Sequence, residues 1–169
     1  DKAKIKKISF IGNKVFKDSK LSRIIASEEY KFWKFISGKK FLNENLVNFD
    51  KRLLRNFYLN NGYYNVVINS SFAKIINDNE FELIYNIESN KKVYFNEIEL
   101  VIPDDFEKTN FNKIENLFGK IKGKHYSINL IDKILEQIDD ITLLDQYKFI
   151  KAKVTENLIG DKINLIFKI

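Results

Sequence analysis

The chain has no cysteine, one histidine, one proline and one tryptophan among its 169 residues. Without cysteine there is no disulfide, no thiolate metal site and no thiol nucleophile. A single histidine, His125, excludes a metal centre built from several imidazoles. No apolar run approaches the roughly 18 to 20 residues of a helical membrane span, and the N-terminus has no signal-peptide pattern. No Gly/Ser- or Pro-rich stretch marks a flexible linker. The chain opens and closes on strand-like segments, as expected of a piece of a longer protein. Catalytic signals are also missing. Ser70, Ser71 and Ser127 lack a nucleophile-elbow context. The run Gly119-Lys120-Ile121-Lys122-Gly123-Lys124 fits neither a Walker A loop nor a KH-type clamp and reads as a solvated loop between helices. Asp139-Asp140 has no acid at a glycosidase or metal spacing and reads as a helix end or a solvent-facing pair. No enzymatic activity, cofactor or metal is expected.

What is present points to packed cores. Hydrophobic residues make up 44% of the chain, and Phe and Tyr number 15 and 8, which excludes disorder. Charge is uneven: residues 1–92 hold 18 Lys+Arg against 10 Asp+Glu, a net +8, whereas residues 93–169 hold 11 against 13, a net −2. A basic half suits nucleic acid, anionic lipid or acidic partners, and a low-GC coding bias also enriches lysine. Nucleic acid is disfavoured. The aromatics alternate as core positions do, and the basic residues Lys6, Lys14, Lys20, Lys39, Lys51 and Arg55 are scattered rather than clustered.

The strongest internal signal is a repeat. In the first half Ile5, Ile8 and Phe10 lead into a turn at Gly12-Asn13. A short helix follows, capped by Asp18 or Ser19 and carrying Leu21, Ile24 and Ile25. Asn43 caps a second helix whose apolar face is Leu46, Phe49, Leu53 and Phe57, and Gly62 ends it. A strand over 64–76, with Val66, Ile68, Phe72 and Ile76 on one side, turns at Asn77-Asp78-Asn79 into a strand with Phe81, Leu83, Tyr85 and Ile87. The second half repeats this order. Ile98, Leu100 and Ile102 form a strand ended by Pro103, and a short helix before Gly119 carries Ile114, Leu117 and Phe118. Ser127 caps a second helix with Ile128, Ile131, Leu135 and Ile138. Two strands follow, with Ile150, Ala152 and Val154, then Ile163, Leu165, Phe167 and Ile169. An offset of 84 aligns the second helices and the strands after them, and an offset of 90 aligns the first strands. The first copy therefore holds about six extra residues, the aromatic stretch Tyr30 to Phe35. The fold class is α+β: two tandem β-α-α-β-β modules, over 1–92 and 93–169. The short junction near Ser89 to Lys92 predicts restricted relative motion.

More specific residues carry a family resemblance. The run Ile8-Ser9-Phe10-Ile11-Gly12-Asn13-Lys14-Val15-Phe16 resembles the strand-then-GN-x-x-F opening of POTRA modules in BamA-like outer-membrane protein insertases. Phe32-Trp33-Lys34-Phe35 resembles the paired-aromatic insert of the third of five modules. The stretch from Asp50 through Leu54 and Tyr58 to Gly62-Tyr63 resembles the family's D-x-x-x-L-x-x-x-Y-x-x-x-G-Y helix end. The second copy matches by pattern more than by motif, with Pro103-Asp104-Asp105 in place of the GN turn and Gln146 before Tyr147. By position it resembles the fourth module.

The resemblance implies three-stranded mixed sheets, each covered on one face by two helices. It also implies a periplasmic scaffold region of a protein integral to the bacterial outer membrane, with adjacent modules and a C-terminal β-barrel in the same parent chain. The implied partners are unfolded β-barrel client proteins and accessory lipoproteins. The family places the strand after the second helix at a sheet edge, here 64–76 and, in the second copy, 146–156. Unpaired main-chain groups of an edge can accept an incoming strand. The expected client-binding residues are Val66, Val67, Ile68, Asn69, Ser70, Ser71 and Phe72. A proline or charge at Asn69 or Ser71 is expected to weaken binding and spare the fold. The insert with Phe32, Trp33 and Phe35 is either core or an exposed aromatic patch for a partner or a membrane surface. Gly12, Asn13, Gly62 and Tyr63 are expected to be structural. The alternatives are a POTRA region of a secretion, translocation or cell-division protein, and more remotely a basic nucleic-acid-binding module.

Overall fold

The computed structural model describes residues 2–31, 38–75, 79–146 and 150–169. The Cα trace divides into two compact units. One runs up to Tyr58 and resumes over Asn65–Asn90; the other comprises Leu59–Tyr64 and Lys91–Ile169.

The first unit contains β1 (Lys4–Ile11), α1 (Asp18–Ile24), most of α2 (Glu44–Asn60), β2 (Val67–Lys74) and β3 (Glu80–Glu88). The sheet order is β1-β3-β2, with β1 parallel to β3 and β2 antiparallel to it. In the second unit β4 (Tyr94–Val101), α3 (Asn112–Ile121), α4 (Ile128–Gln146), β5 (Lys153–Ile159) and β6 (Lys162–Lys168) give the same arrangement, β4-β6-β5. The fold is α+β, with two mixed three-stranded sheets and their helices.

A shared irregularity explains the mixed spacing of the first strands. Ile5 pairs with Phe81 but Lys7 with Glu82, so Lys6 is an extra residue. The register shifts again between Phe95 and Ile98, opposite Ile163 and Leu165. Each bulge returns the strand to phase, so Ile5, Ile8 and Phe10, and likewise Phe95, Ile98 and Leu100, face the same side. The pairing aligns Ile5 with Phe95, Ser70 with Val154 and Leu83 with Leu165, at offsets of 90, 84 and 82.

The helices cover one face of each sheet. In the first unit Ile5, Phe10, Leu21, Leu54, Leu83, Tyr85 and Ile87 are buried, and Phe10 stacks on Tyr85 with centroids 5.8 Å apart. In the second, Phe95, Phe111, Ile131, Ile134, Ile138, Ile163, Leu165 and Phe167 form the core, with Phe118 stacked on Phe167 at 5.4 Å. Each such side chain, fully buried, stabilises by about 1.5–3 kcal/mol.

Helix caps agree with expectation at Asn43, whose Oδ1 accepts from Leu46 N–H, and at Ser127, whose Oγ accepts from Leu130 N–H. Several expectations need correction. The buried stripe of α2 is Val47, Asp50, Leu54 and Tyr58, while Phe49 is exposed; the stripe is rotated by one residue because it contains a buried carboxylate. Neither Asp18 nor Ser19 caps α1: Lys17 is the N-cap, and Asp18 pairs with Lys14 at 2.7 Å. Helix α3 passes through Gly119 to the buried Ile121, and the left-handed glycine is Gly123, so residues 119–121 are not loop. Asp139 lies inside α4 and accepts the Ala152 N–H at 2.8 Å, holding the chain that enters β5.

A candidate strand-addition edge on the first unit

The strand after α2 is shorter than expected, Val67–Lys74 instead of 64–76, and Ile76 lies outside the described residues. Residues 63–66 form the approach, where Tyr64 packs edge-on against Tyr126 with centroids 4.9 Å apart. In the second unit the strand is Lys153–Ile159, not 146–156, because α4 continues to Gln146. Both strands occupy sheet edges.

The ladder phase shows which main-chain groups β2 leaves open. Ile75 N–H donates to Glu80 C=O, making Ile75–Glu80 a hydrogen-bonded pair. Such pairs alternate along an antiparallel ladder. Val67, Asn69, Ser71 and Ala73 therefore turn their N–H and C=O groups toward β3. Ile68, Ser70 and Phe72 turn theirs outward. The carbonyl of Val66 has the same outward phase, and Arg55 Nη1 from α2 donates to it at 3.2 Å. Outward main chain is thus open from Ile68, just beyond this capped carbonyl.

Side chains follow the pleat. Ile68, Ser70 and Phe72 sit opposite Ile87, Tyr85 and Leu83, on the helix-covered face, and Val67, Asn69 and Ser71 lie exposed on the other. Val66 is buried. Phe72 is 62% exposed although it faces the helical layer, where it meets the Phe81 ring edge-on. Two shallow depressions run between β2 and α2. Asn45, Arg52 and Arg55 line the one beside Ile68, Leu42, Glu44 and Val47 line the one beside Ser70 and Phe72, and Asn48 and Lys51 border both. Val67 to Ala73 contains no charge and no proline, whereas β5 carries Lys153 and Glu156. Glu156 aligns with Phe72, and its carboxylate accepts from the Tyr126 hydroxyl. The two edges are not equivalent, and β2 has fewer features that block pairing.

A buried polar cluster fixes α2 behind this edge. Asp50, fully buried, accepts the Ala26 N–H at 2.6 Å and the Ser27 N–H at 3.2 Å through Oδ1, and the Tyr85 hydroxyl at 2.5 Å through Oδ2. Sequence reading placed Asp50 in a motif but gave it no role, because a carboxylate on an otherwise apolar stripe is the only trace it leaves. Burial, then the Asp50 hydrogen bond, hold the Tyr85 hydroxyl far above its ordinary range; burial and Glu156 do the same for Tyr126. Both groups have a folded pKa above the unfolded value near 10, so their contribution is fully present below about pH 10 and is lost as pH rises beyond it. The urea midpoint is expected to fall between about pH 10 and 12. A Tyr85→Phe/Tyr126→Phe chain should show a shallower decline, and equal slopes would contradict the assignment.

Gly12 has φ +89°, and Asn13 C=O accepts from both the N–H and the hydroxyl of Ser89. Gly62, at φ +94°, follows α2, and its carbonyl accepts from Val93 N–H. Tyr63 lies under the Lys92 ammonium. Phe32, Trp33 and Phe35 lie outside the described residues.

Comparison with known proteins agrees with this architecture. A family model described as "POTRA: Surface antigen variable number repeat" matches residues 3–90. Over 156 residues the chain is 25% identical to the outer membrane protein assembly factor BamA of Buchnera aphidicola subsp. Acyrthosiphon pisum, covering 89% of this chain and 24% of that protein. Over 138 residues it is 26% identical to BamA of Neisseria meningitidis serogroup B, covering 82% of this chain and 17% of that one. The chain thus spans a quarter or less of the curated relatives it matches. Among solved structures, POTRA3-5 of Haemophilus influenzae BamA superposes with a TM-score of 0.71 at 9% identity, covering 99% of this chain and 61% of that one. Haemophilus ducreyi BamA lacking POTRA domains 1-3 gives 0.70 at 11% identity, covering 98% and 29%. With the family model matching over half the chain, and the same strand order and bulge in both units, the chain is BamA-like and belongs to the POTRA family.

Proposed function

We propose that these modules are the third and fourth of the periplasmic region of an outer-membrane protein assembly factor, acting as a binding scaffold without chemistry of its own. In this reading β2 receives extended segments of unfolded β-barrel clients, and the modules also hold accessory lipoproteins of the assembly complex. The parent chain continues into a β-barrel in the outer membrane. One observation carries the client-binding role. The edge strand β2 is free of charge from Val67 to Ala73 and turns the main-chain groups of Ile68, Ser70 and Phe72 away from its own sheet. Each outward residue can exchange two hydrogen bonds with an added strand, and such bonding is largely indifferent to client sequence.

The ladder phase moves the expected test position. Proline at Asn69 or Ser71 would remove an N–H that β3 uses, so it would damage the fold as well as the edge. Ser70→Pro removes only an outward N–H and leaves the β3 pairing in place. Ser70→Pro is expected to weaken binding of an unfolded β-barrel client fragment about tenfold while the thermal midpoint stays within about 2 °C. Undiminished binding with the fold preserved would remove β2 as the receptor.

A further inference from the structure

The strand-addition reading leaves client choice open, but the wall beside β2 is not uniform. At the Ile68 end the helix presents Lys51, Arg52 and Arg55, with the amides of Asn45 and Asn48. Among the described residues none of the three cations has a carboxylate within ion-pair distance. Arg55 uses one nitrogen on Val66 C=O and keeps its other donors; Arg52 lies over the Phe49 ring. At the Phe72 end the wall is Leu42 and Val47 with the carboxylate of Glu44, and Asn48 and Lys51 border both ends. The groove therefore carries Arg52 and Arg55 only at the Ile68 end and Leu42, Val47 and the acid Glu44 only at the Phe72 end, with Lys51 shared by the two.

Alternate side chains of an added strand face the helical layer, as Ile68, Ser70 and Phe72 do. Ile68 and Phe72 are four residues apart, about 13 Å along a strand. Antiparallel pairing is the commoner and slightly more stable mode. In that direction the residue opposite Phe72 precedes the residue opposite Ile68 by four positions.

Resting on the strand-addition reading, we propose that β2 selects an extended segment with an aromatic residue four positions before a carboxylate. The aromatic packs on Phe72, Leu42 and Val47, and the carboxylate meets Lys51, Arg52 and Arg55. Glu44 repels an acid placed at the wrong end, which fixes register and direction. Main-chain pairing holds the segment, and the two side-chain positions decide which segments stay longest.

The test uses blocked seven-residue threonine/serine peptides titrated into the isotope-labelled chain and followed through its amide resonances. The parent peptide has phenylalanine second and aspartate sixth. It should shift the amides of residues 68–72 and bind about tenfold more tightly than the version with lysine sixth, a gap that narrows as salt is raised. It should also outbind the version with the two residues exchanged. In a Lys51→Glu/Arg52→Glu chain the preference should invert in favour of the lysine peptide. Equal binding of all versions at β2 would overturn the selectivity and leave strand addition standing. Preference for the exchanged peptide would overturn the antiparallel register. No perturbation of β2 by any peptide would overturn both the selectivity and the strand-addition reading.

Discussion

Replacing Asp50 by alanine is expected to destabilise the first unit by about 3–5 kcal/mol. The substitution strands the N–H groups of Ala26 and Ser27 and the Tyr85 hydroxyl, of which Ser27 and Tyr85 are buried and Ala26 is partly buried. Each orphaned buried group costs about 1–3 kcal/mol. Tyr85→Phe removes one donor and leaves Asp50 with two, so its effect should be near 1 kcal/mol. The second unit contains the apolar alternative: the offset of 84 places Ile134 at the Asp50 position, and the offset of 82 places Phe167 at that of Tyr85. There the loop after α3 finds main-chain acceptors, with Gly123 N–H donating to Phe95 C=O of β4 and Lys124 N–H to Ile121 C=O at the end of α3. An isoleucine at position 50 would find no such arrangement around it, so Asp50→Ile should also destabilise. Hydrogen exchange of β3 amides, compared with β6 amides in the same sample, reads the loss without assuming that both units unfold together. A loss below about 1 kcal/mol for Asp50→Ala would mean that the loop finds other acceptors.

Gly12→Ala is expected to destabilise the same unit by about 2–4 kcal/mol. A left-handed backbone alone costs a non-glycine residue about 1–2 kcal/mol. A methyl group at position 12 would also stand 2.5 Å from the Ile87 carbonyl oxygen, which belongs to the central strand and cannot swing away. Gly160 is the internal control. It too is left-handed, at φ +63°, but nothing lies within 4 Å of the place a methyl would occupy. Gly160→Ala should show the conformational cost alone, about 1 kcal/mol. Equal effects at the two positions would show that the close approach at Gly12 relaxes easily.

Much of the fold was readable from periodicity, because strands and helices with one buried face repeat their apolar residues at fixed spacings. The errors have physical causes. On α2 the apolar count favoured Leu46, Phe49, Leu53 and Phe57, since hydrophobicity cannot credit a stripe containing Asp50, whose burial depends on donors 23 to 35 residues away. Gly119 was read as a stop, but a glycine inside a helix costs only about 1 kcal/mol, and Ile121 buries itself two residues further on. The bulges at Lys6 and before Ile98 are visible only once the partner strand is known. At the edge, sequence identified the strand. It did not reveal which residues turn their main chain outward, because that phase is set by the Ile75–Glu80 pair. The cationic wall was equally hidden, since Lys51, Arg52 and Arg55 gain meaning only by lying beside Ile68.

The central position of β3 and β6 carries a consequence for how each unit comes into being. In both sheets the middle strand is the last to be synthesised, and the two outer strands touch only it. Lys4 waits for Glu80, and Tyr94 for Lys162. A nascent chain that has passed β2 but not reached β3 has two strands and no sheet, so no stable intermediate can form by zipping strands in order of emergence. Closure over such separations is slow relative to helix–coil exchange, and α1, seven residues long, is too short to persist before the sheet it packs on has closed. During that interval β2 is exposed on both sides, which places a premium on the short hairpin that joins it to β3.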